Sequence, residues 1–361
     1  MKALTLGGAM VDTIAIIDSE RIERVSMRNA DTAFLMLEEG SKTEALEIAT
    51  HCGGGAVNAA VAMARLGIDV AALVKLGQDQ RAETVLARLQ AEGVSSRYAL
   101  RDGRAPTGAS ILISSHDRNA AVFTFRGANT LLEASDLKAD AFNVDLVYVA
   151  SLSNQSADCF PAIVAQAKAT GALLATNPGP RQLAARGSAF RDCLPMIDIL
   201  AINRAEAEVM LPTLIPAFGE GGPAFDGVDL PRLAQRGLHG GGFTMSLKAF
   251  LAGIISLGPK TLLLTDGVGG AYAATRHEIV YCPTLKVAVA GTAGAGDAFT
   301  STFATSIALG RTLDDALRSA TINAASVVGH TDTQSGLLRR ADLDTRHKDR
   351  AADLPIRRWA I

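Results

Sequence analysis

Cysteine and histidine are scarce in this chain and never clustered. The four cysteines, Cys52, Cys159, Cys193 and Cys282, show no CxxC spacing, and the six histidines form no HxxxH pair. Neither a disulfide framework nor a zinc site is indicated, and reduced thiols in a cytoplasmic protein are the simplest account. An excess of one charge is also lacking: 35 Lys and Arg stand against 37 Asp and Glu, a net charge of −2. Without a global basic field no nucleic acid partner is expected, and a small-molecule ligand is the better default. No uninterrupted apolar run reaches membrane-spanning length, so no membrane partner is expected either. The N-terminal MKALTLGGAMVDTIAII is broken by Gly7, Gly8 and Asp12, which suits a first strand better than a signal peptide.

Two nucleotide signatures are missing as well. The glycine-rich HCGGGAVNAAVAMARLG does not meet the GxGxxG spacing with an acidic residue about twenty positions on, which disfavours a nicotinamide-dependent dehydrogenase. The stretch GIISLGPKT at 253–261 approaches GxxxxGK[ST]. Pro259 separates Gly258 from Lys260, however, and a strand is expected to follow where a P-loop has a helix, so this match is discarded.

What is present is a long alternation of strands and helices. A chain of 361 residues can bury a large core, and one α/β domain spanning 1–361 is expected, with a small appendage. Short, nearly continuous apolar runs at 3–6, 70–76, 145–150, 172–176, 197–202 and 261–265 read as parallel strands covered on both faces. Stretches about 13–50 and 105–127 lose helical period and read as a β-lid, with a hairpin turn at 116–119. Residues about 214–242, rich in Gly and Pro, read as an irregular insertion. The charged segment 339–358 reads as surface or loosely ordered chain.

The most informative stretch is GTAGAGDAFTSTFATSIAL, 291–309. Its glycines let the backbone approach a ligand, and Phe299, Phe303 and Ile307 mark a buried helix ended by Gly310. A turn opening a helix offers unpaired N–H groups and the positive end of the dipole to an anion such as phosphate. Asp297 at that junction has two readings. It is a helix N-cap beside a tight turn, or it takes the proton of an incoming hydroxyl while the turn steadies a phosphoryl group in transfer. Asp12, after Gly7-Gly8, is either a ligand group or a solvated strand end.

Three groups of motifs resemble one family, the PfkB or ribokinase-like carbohydrate and nucleoside kinases. GGGAVNAAVAMARLGIDVAALVKLG, 53–77, is similar to the family's N-terminal signature, and the Asp297 region to its DTxGAGD signature. Looser likenesses are Gly8 to Asp12, Asn203-Arg204-Ala205-Glu206 as NxxE, and 265–270 as TxGxxG. The resemblance runs from residue 3 to about 338. It implies a doubly wound, mostly parallel sheet with helices on both faces and a β-lid, with ATP as phosphoryl donor and Mg²⁺ as charge neutraliser. By resemblance Asp297 is the general base, and Gly294, Ala295 and Gly296 form the anion hole. Asp12, Gly54, Gly55 and Asn58 would hold the hydroxyls of a sugar or nucleoside. Asn203 and Glu206 would organise Mg²⁺ and phosphates, the metal directly or through water on Glu206. Thr265, Gly267 and Gly270 would lie along ATP, with Asn323 flanking the adenine.

Gly291 stands where the family usually has Asp, and Thr302 where it usually has Gly or Ala. The absent Asp contributes to a monovalent-cation site in members that use one, so potassium activation does not follow from the resemblance. These departures motivate one alternative, a non-catalytic sugar or nucleotide sensor, against which the retained Asp297 argues. Exposed lid edges suggest a homodimer through the lid.

Overall fold

A computed structural model of the chain describes residues 1–18, 23–26, 33–36, 40, 42–115 and 120–361. The lid turn expected at 116–119 and parts of the 13–50 stretch lie outside the described residues. Nine strands form the main sheet. Six of them, Asp69–Leu73, Lys2–Leu6, Leu146–Val149, Leu173–Thr176, Ile199–Asn203 and Thr261–Thr265, are parallel in that spatial order, and Ala271–Ala274, Glu278–Cys282 and Arg357–Ala360 extend one edge antiparallel.

The apolar runs explain the parallel arrangement. Successive side chains leave opposite faces of a strand, so a strand covered on both sides needs apolar residues at every position. In Thr261–Thr265, Leu263 packs into one core, and Leu262 and Leu264 into the other. Helices Gly55–Arg65, Ala295–Ala308 and Leu313–Val327 cover the first face. Helices Phe160–Ala169, Arg204–Phe218 and Leu247–Ser256 cover the second. The result is the expected doubly wound sheet.

A second sheet stands apart from the first, in the order Ala120–Phe125, Gly108–Ser115, Met10–Ile17, Ala45–Gly53. One lid strand, Met10–Ile17, follows the first strand of the main sheet directly, and another, Ala45–Gly53, runs straight into helix Gly55–Arg65. The lid is therefore joined to the main sheet at the place where the glycine-rich motif lies.

Two expectations need correction. The segment from 214 is not irregular at its start, because helix Arg204–Phe218 continues through Pro212 and Pro216. Each proline removes one i→i−4 bond. The ribbon Leu238–Gly240 and Phe243–Met245 packs over this weakened side so closely that a Cβ on Gly240 would lie 2.1 Å from the Glu208 carbonyl oxygen. The C-terminal segment is on the surface but ordered. It forms helix Arg340–Arg350 and the edge strand Arg357–Ala360, whose Trp359 sits edge-on to Phe225 at 4.8 Å and donates from Nε1 to the Asp226 carbonyl at 2.9 Å.

Candidate active site

The C-terminal ends of the parallel strands converge where the lid joins the sheet, the usual ligand position in an open α/β sheet. Helix Ala295–Ala308 begins there. Its N-cap is Gly294, held at φ +78°, a conformation glycine adopts without penalty. Asp297 is therefore not the N-cap; it lies in the first turn, and its carboxylate is free to act elsewhere. The first-turn amides of Gly296 and Asp297 find no acceptor among the described residues, so they remain available to an anion.

Asp297 Oδ2 accepts a 2.8 Å hydrogen bond from Asn58 Nδ2. Asn58 is itself fixed: its Oδ1 accepts from Thr333 Oγ1 at 2.9 Å and from Gln334 Nε2 at 3.0 Å. Two donors on the amide oxygen leave only one orientation, with the NH₂ toward Asp297. Gln334 is buried and also held, since Arg88 Nε donates to its Oε1 at 2.8 Å and Arg65 Nη1 to its backbone oxygen at 2.8 Å. Both arginines pair with Glu92. Thr333 additionally packs on Gly294, where a Cβ would lie 2.7 Å from its own. One segment thus braces both the anion-binding turn and the amide that orients the carboxylate.

Asp12 does not leave the end of the main sheet, as the sequence suggested. It lies on the lid strand Met10–Ile17, opposite His51 on one side and Ser110 on the other. It is 8% exposed, and its Oδ1 accepts from the Ser110 hydroxyl. Its second oxygen lies over Gly53, where a Cβ would come within 1.8 Å. Gly54 is at φ +96°, and a Cβ there would lie 2.5 Å from the Gly8 carbonyl oxygen. Gly55 leaves room for Asp297, whose Oδ1 would be 3.2 Å from a Cβ there. The three glycines therefore serve the close approach of Asp12, Asp297 and the chain crossing between lid and sheet.

Electrostatics couple the carboxylates. Burial raises the pKa of Asp12, opposed by the Ser110 hydrogen bond and by His51. Burial also raises that of Asp297; the Asn58 hydrogen bond pulls it back and the charge of Asp12 adds to the rise. Glu206 is pushed up to about 7, chiefly by burial, against hydrogen bonds from Asn203 and with a contribution from Asp297. Removing the ordinary solvation of a carboxylate favours its protonated form and makes it a better base when ionised.

Asn203 and Glu206 form a reciprocal capping box: Asn203 Oδ1 accepts from the Glu206 amide at 2.9 Å, and Glu206 Oε2 from the Asn203 amide at 2.8 Å. A cleft of about 690 Å³ runs from the loop bearing Thr265, Gly267 and Gly270 to Thr292, Ala295, Gly296 and Phe299. Its size suits a nucleotide, and its inner end is the helix N-terminus, which suits phosphate. No group of three metal-ligating side chains occurs among the described residues, so a Mg²⁺ ion here would be carried mainly by phosphates with at most Glu206 assisting, as that ion commonly is.

Asn323 is a correction. It is fully buried, donating to Thr302 Oγ1 at 2.8 Å and accepting from the Leu338 amide at 2.9 Å, so it ties two helices and a loop together instead of flanking the cleft. Its neighbours Thr321, Ala324 and Ala325 line the cleft. The same bond accounts for Thr302, whose hydroxyl satisfies the buried amide. A side chain on Gly291 would press on the carbonyl oxygens of His330 and Thr331, 3.0 and 3.3 Å from its Cβ.

Comparison with known proteins bears on the family and the fold. A model of the pfkB family carbohydrate kinases matches residues 26–340. A deoxyribokinase of Salmonella typhi is 26% identical over 324 residues, covering 89% of this chain and 94% of its own. A ribokinase of Staphylococcus aureus is 26% identical over 257 residues, covering 70% and 73%. Among solved structures, a putative ribokinase II of E. coli in complex with ATP and Mg²⁺ superposes with a TM-score of 0.72 at 17% identity, over 96% of this chain and 99% of that one, which is a likeness of fold.

Proposed function

The chain belongs to the pfkB family of carbohydrate kinases, and from that premise we propose that it moves the γ-phosphoryl group of ATP to a hydroxyl of a sugar or nucleoside with Asp297 as general base. The observation that carries this reading is a carboxylate of raised pKa, oriented by Asn58, at the helix N-terminus that closes a nucleotide-sized cleft. Bound Mg-ATP supplies the phosphoryl group and neutralises its charge. Asp297 takes the proton from the acceptor hydroxyl as its oxygen bonds to phosphorus and the bond to the leaving ADP oxygen breaks. The amides of Gly296 and Asp297 receive the charge on the transferring group. Asp12 and the second N–H of Asn58 hold acceptor hydroxyls, and a buried acceptor left unpaired by a deoxy analogue would discriminate against it. Thr265, Gly267 and Gly270 line the nucleotide, while Asn203 and Glu206 face its phosphates. The lid keeps water from competing as acceptor.

ADP release with Mg-ATP across a panel of sugars, sugar acids and nucleosides, with and without K⁺, tests the reading. Acceptor-dependent release that disappears in Asp297→Asn supports it; release that persists in the variant removes Asp297 from its role.

The lid also suits a dimer. Its strands expose Ile111, Phe123 and Phe125 on one face, with Leu46 and Ile48 on the edge strand, and exposed apolar residues gathered on one element mark association sites. Sedimentation that stays monomeric at all concentrations would exclude it.

A further inference from the structure

Resting on the kinase reading, we infer that the acceptor carries a fixed negative charge, held by Arg126 and Arg181 on a platform at the end of the acceptor site remote from Asp297. Arg126 closes the lid strand Ala120–Phe125 and is half-buried. Its Nη1 donates to Ser153 Oγ at 2.7 Å, and no carboxylate among the described residues pairs with it. A guanidinium has five donors and does not deprotonate. Half-buried on one serine hydroxyl, it keeps most of its donors for an anion, which would satisfy them better than water. Burial and the charge of Arg181 both work against its charged form, and an anion beside Arg126 would relieve both effects.

The platform is built in. Asn129 fastens the turn after Arg126 to Ala9 through two 2.9 Å bonds, beside the lid strand that bears Asp12. Ser156 bonds to the Asn129 carbonyl and the Leu132 amide, tying the loop that bears Ser153 to the same turn. On its other side, buried Gln182 accepts from the Leu152 amide at 3.2 Å, and Gly179 abuts Ser151; Arg181 lies between them in sequence. The loop begins at Ala150, whose Cβ would be 2.8 Å from a Cβ on Gly55, next to Asp297. An acceptor with its reacting hydroxyl at Asp297 therefore runs along 150–153 toward Arg126. Carboxylates stand at one end of this path and cations at the other. A neutral sugar would leave the cations unanswered; a sugar acid or a sugar phosphate would answer them bidentately.

The test sets a free aldose beside its aldonic acid and its terminal phosphate, read by ADP release in wild type and Arg126→Met. The wild type is expected to prefer one charged acceptor in kcat/KM, and Arg126→Met to lower that value about ten- to a hundredfold more than the value for the neutral sugar. The acid and phosphate arms tell the two anions apart. Preference for the neutral sugar, with all three acceptors affected alike by the substitution, overturns the inference. If no acceptor releases ADP, calorimetric titration of the charged acceptors in the presence of ADP separates the two readings. Binding lost in Arg126→Met upholds the anion subsite and sinks phosphoryl transfer, whereas no binding to the wild type overturns the subsite. Should Arg126→Met not fold, Arg126→Lys, which keeps the charge but not the fork, and the exposed Arg181→Ala give the same comparison.

Discussion

The acceptor side and the nucleotide side of this site are built on different principles. Around Asp297 the carboxylates are placed by a chain of side-chain contacts, each held by another: Asn58 by Thr333 and Gln334, Gln334 by Arg88, Asp12 by Ser110. Around the cleft the walls are mostly glycine, alanine, valine and threonine, and the helix Ala295–Ala308 begins at its inner end. The first side places reacting atoms and sets protonation; the second offers shape and an anion-binding helix end common to any nucleotide phosphate. Substitutions on the acceptor side should change chemistry and pH dependence, and substitutions on the nucleotide side should change affinity for ATP.

The largest break in that comparison comes from Asp297→Asn. Turnover should fall by about 10²–10⁴ because the proton acceptor is lost, while ATP affinity measured by titration stays within a few-fold. A parallel loss of ATP binding would show that the two sides are one unit. Next in size is Gly296→Ala. Nothing lies within 4 Å of a Cβ there, and alanine is the better helix residue by about 1 kcal/mol, so the variant should be at least as stable as wild type in denaturant. Its methyl group would stand where phosphate approaches the amides, and kcat/KM for ATP should drop about ten- to a hundredfold. Unchanged kinetics would remove the helix N-terminus from phosphate binding.

Much of this arrangement was readable in the residues. Phe299, Phe303 and Ile307 predicted the buried helix that ends before Gly310, and apolar runs predicted parallel strands because burial on both faces leaves no alternation to mislead. What escaped was tertiary. Thr333 bonds to Asn58 across 275 residues of chain, and a polar Asp332-Thr333-Gln334 after an apolar helix looks like any surface loop. Asn323 was placed in the right helix but on the wrong face; its burial against Thr302 depends on helix packing, which local pattern does not contain. The Gly and Pro content from about 214 suggested irregular chain, yet packing of the Gly240 ribbon outweighed the local effect of Pro212 and Pro216 in the helix that runs to Phe218. The pairing of Arg126 with Ser153 alone could not be seen, because an unpaired arginine is indistinguishable in sequence from a solvated one.

Gln334→Leu sharpens the comparison from within the acceptor side. The substitution keeps the volume roughly but frees the Asn58 amide to rotate, weakening the bond that holds the pKa of Asp297 down. Turnover should fall about three- to tenfold, the worth of one hydrogen bond. The acidic limb of the pH–rate profile should move to higher pH, because the base is needed ionised and now protonates more readily. KM for ATP should not move. A loss of rate with an unshifted profile would make Gln334 a packing residue only.

The smallest effect, and one read without any ligand, concerns Glu206. Its folded pKa of about 7 lies above the ordinary 4.5, so between those values the folded chain holds a proton that the unfolded chain has released. Stability contributed at this position therefore falls as pH rises from about 4.5 to 7, and the penalty is complete above that. Glu206→Gln keeps an oxygen to accept from the Asn203 amide and removes the charge. By calorimetry in the absence of Mg²⁺ and nucleotide, its Tm relative to wild type should rise from pH 5 to pH 8, by on the order of a few degrees. A pH-independent difference would mean that Glu206 ionises as an ordinary surface acid. The burial that raises Asp297 would then stop at the acceptor side instead of extending to the capping box.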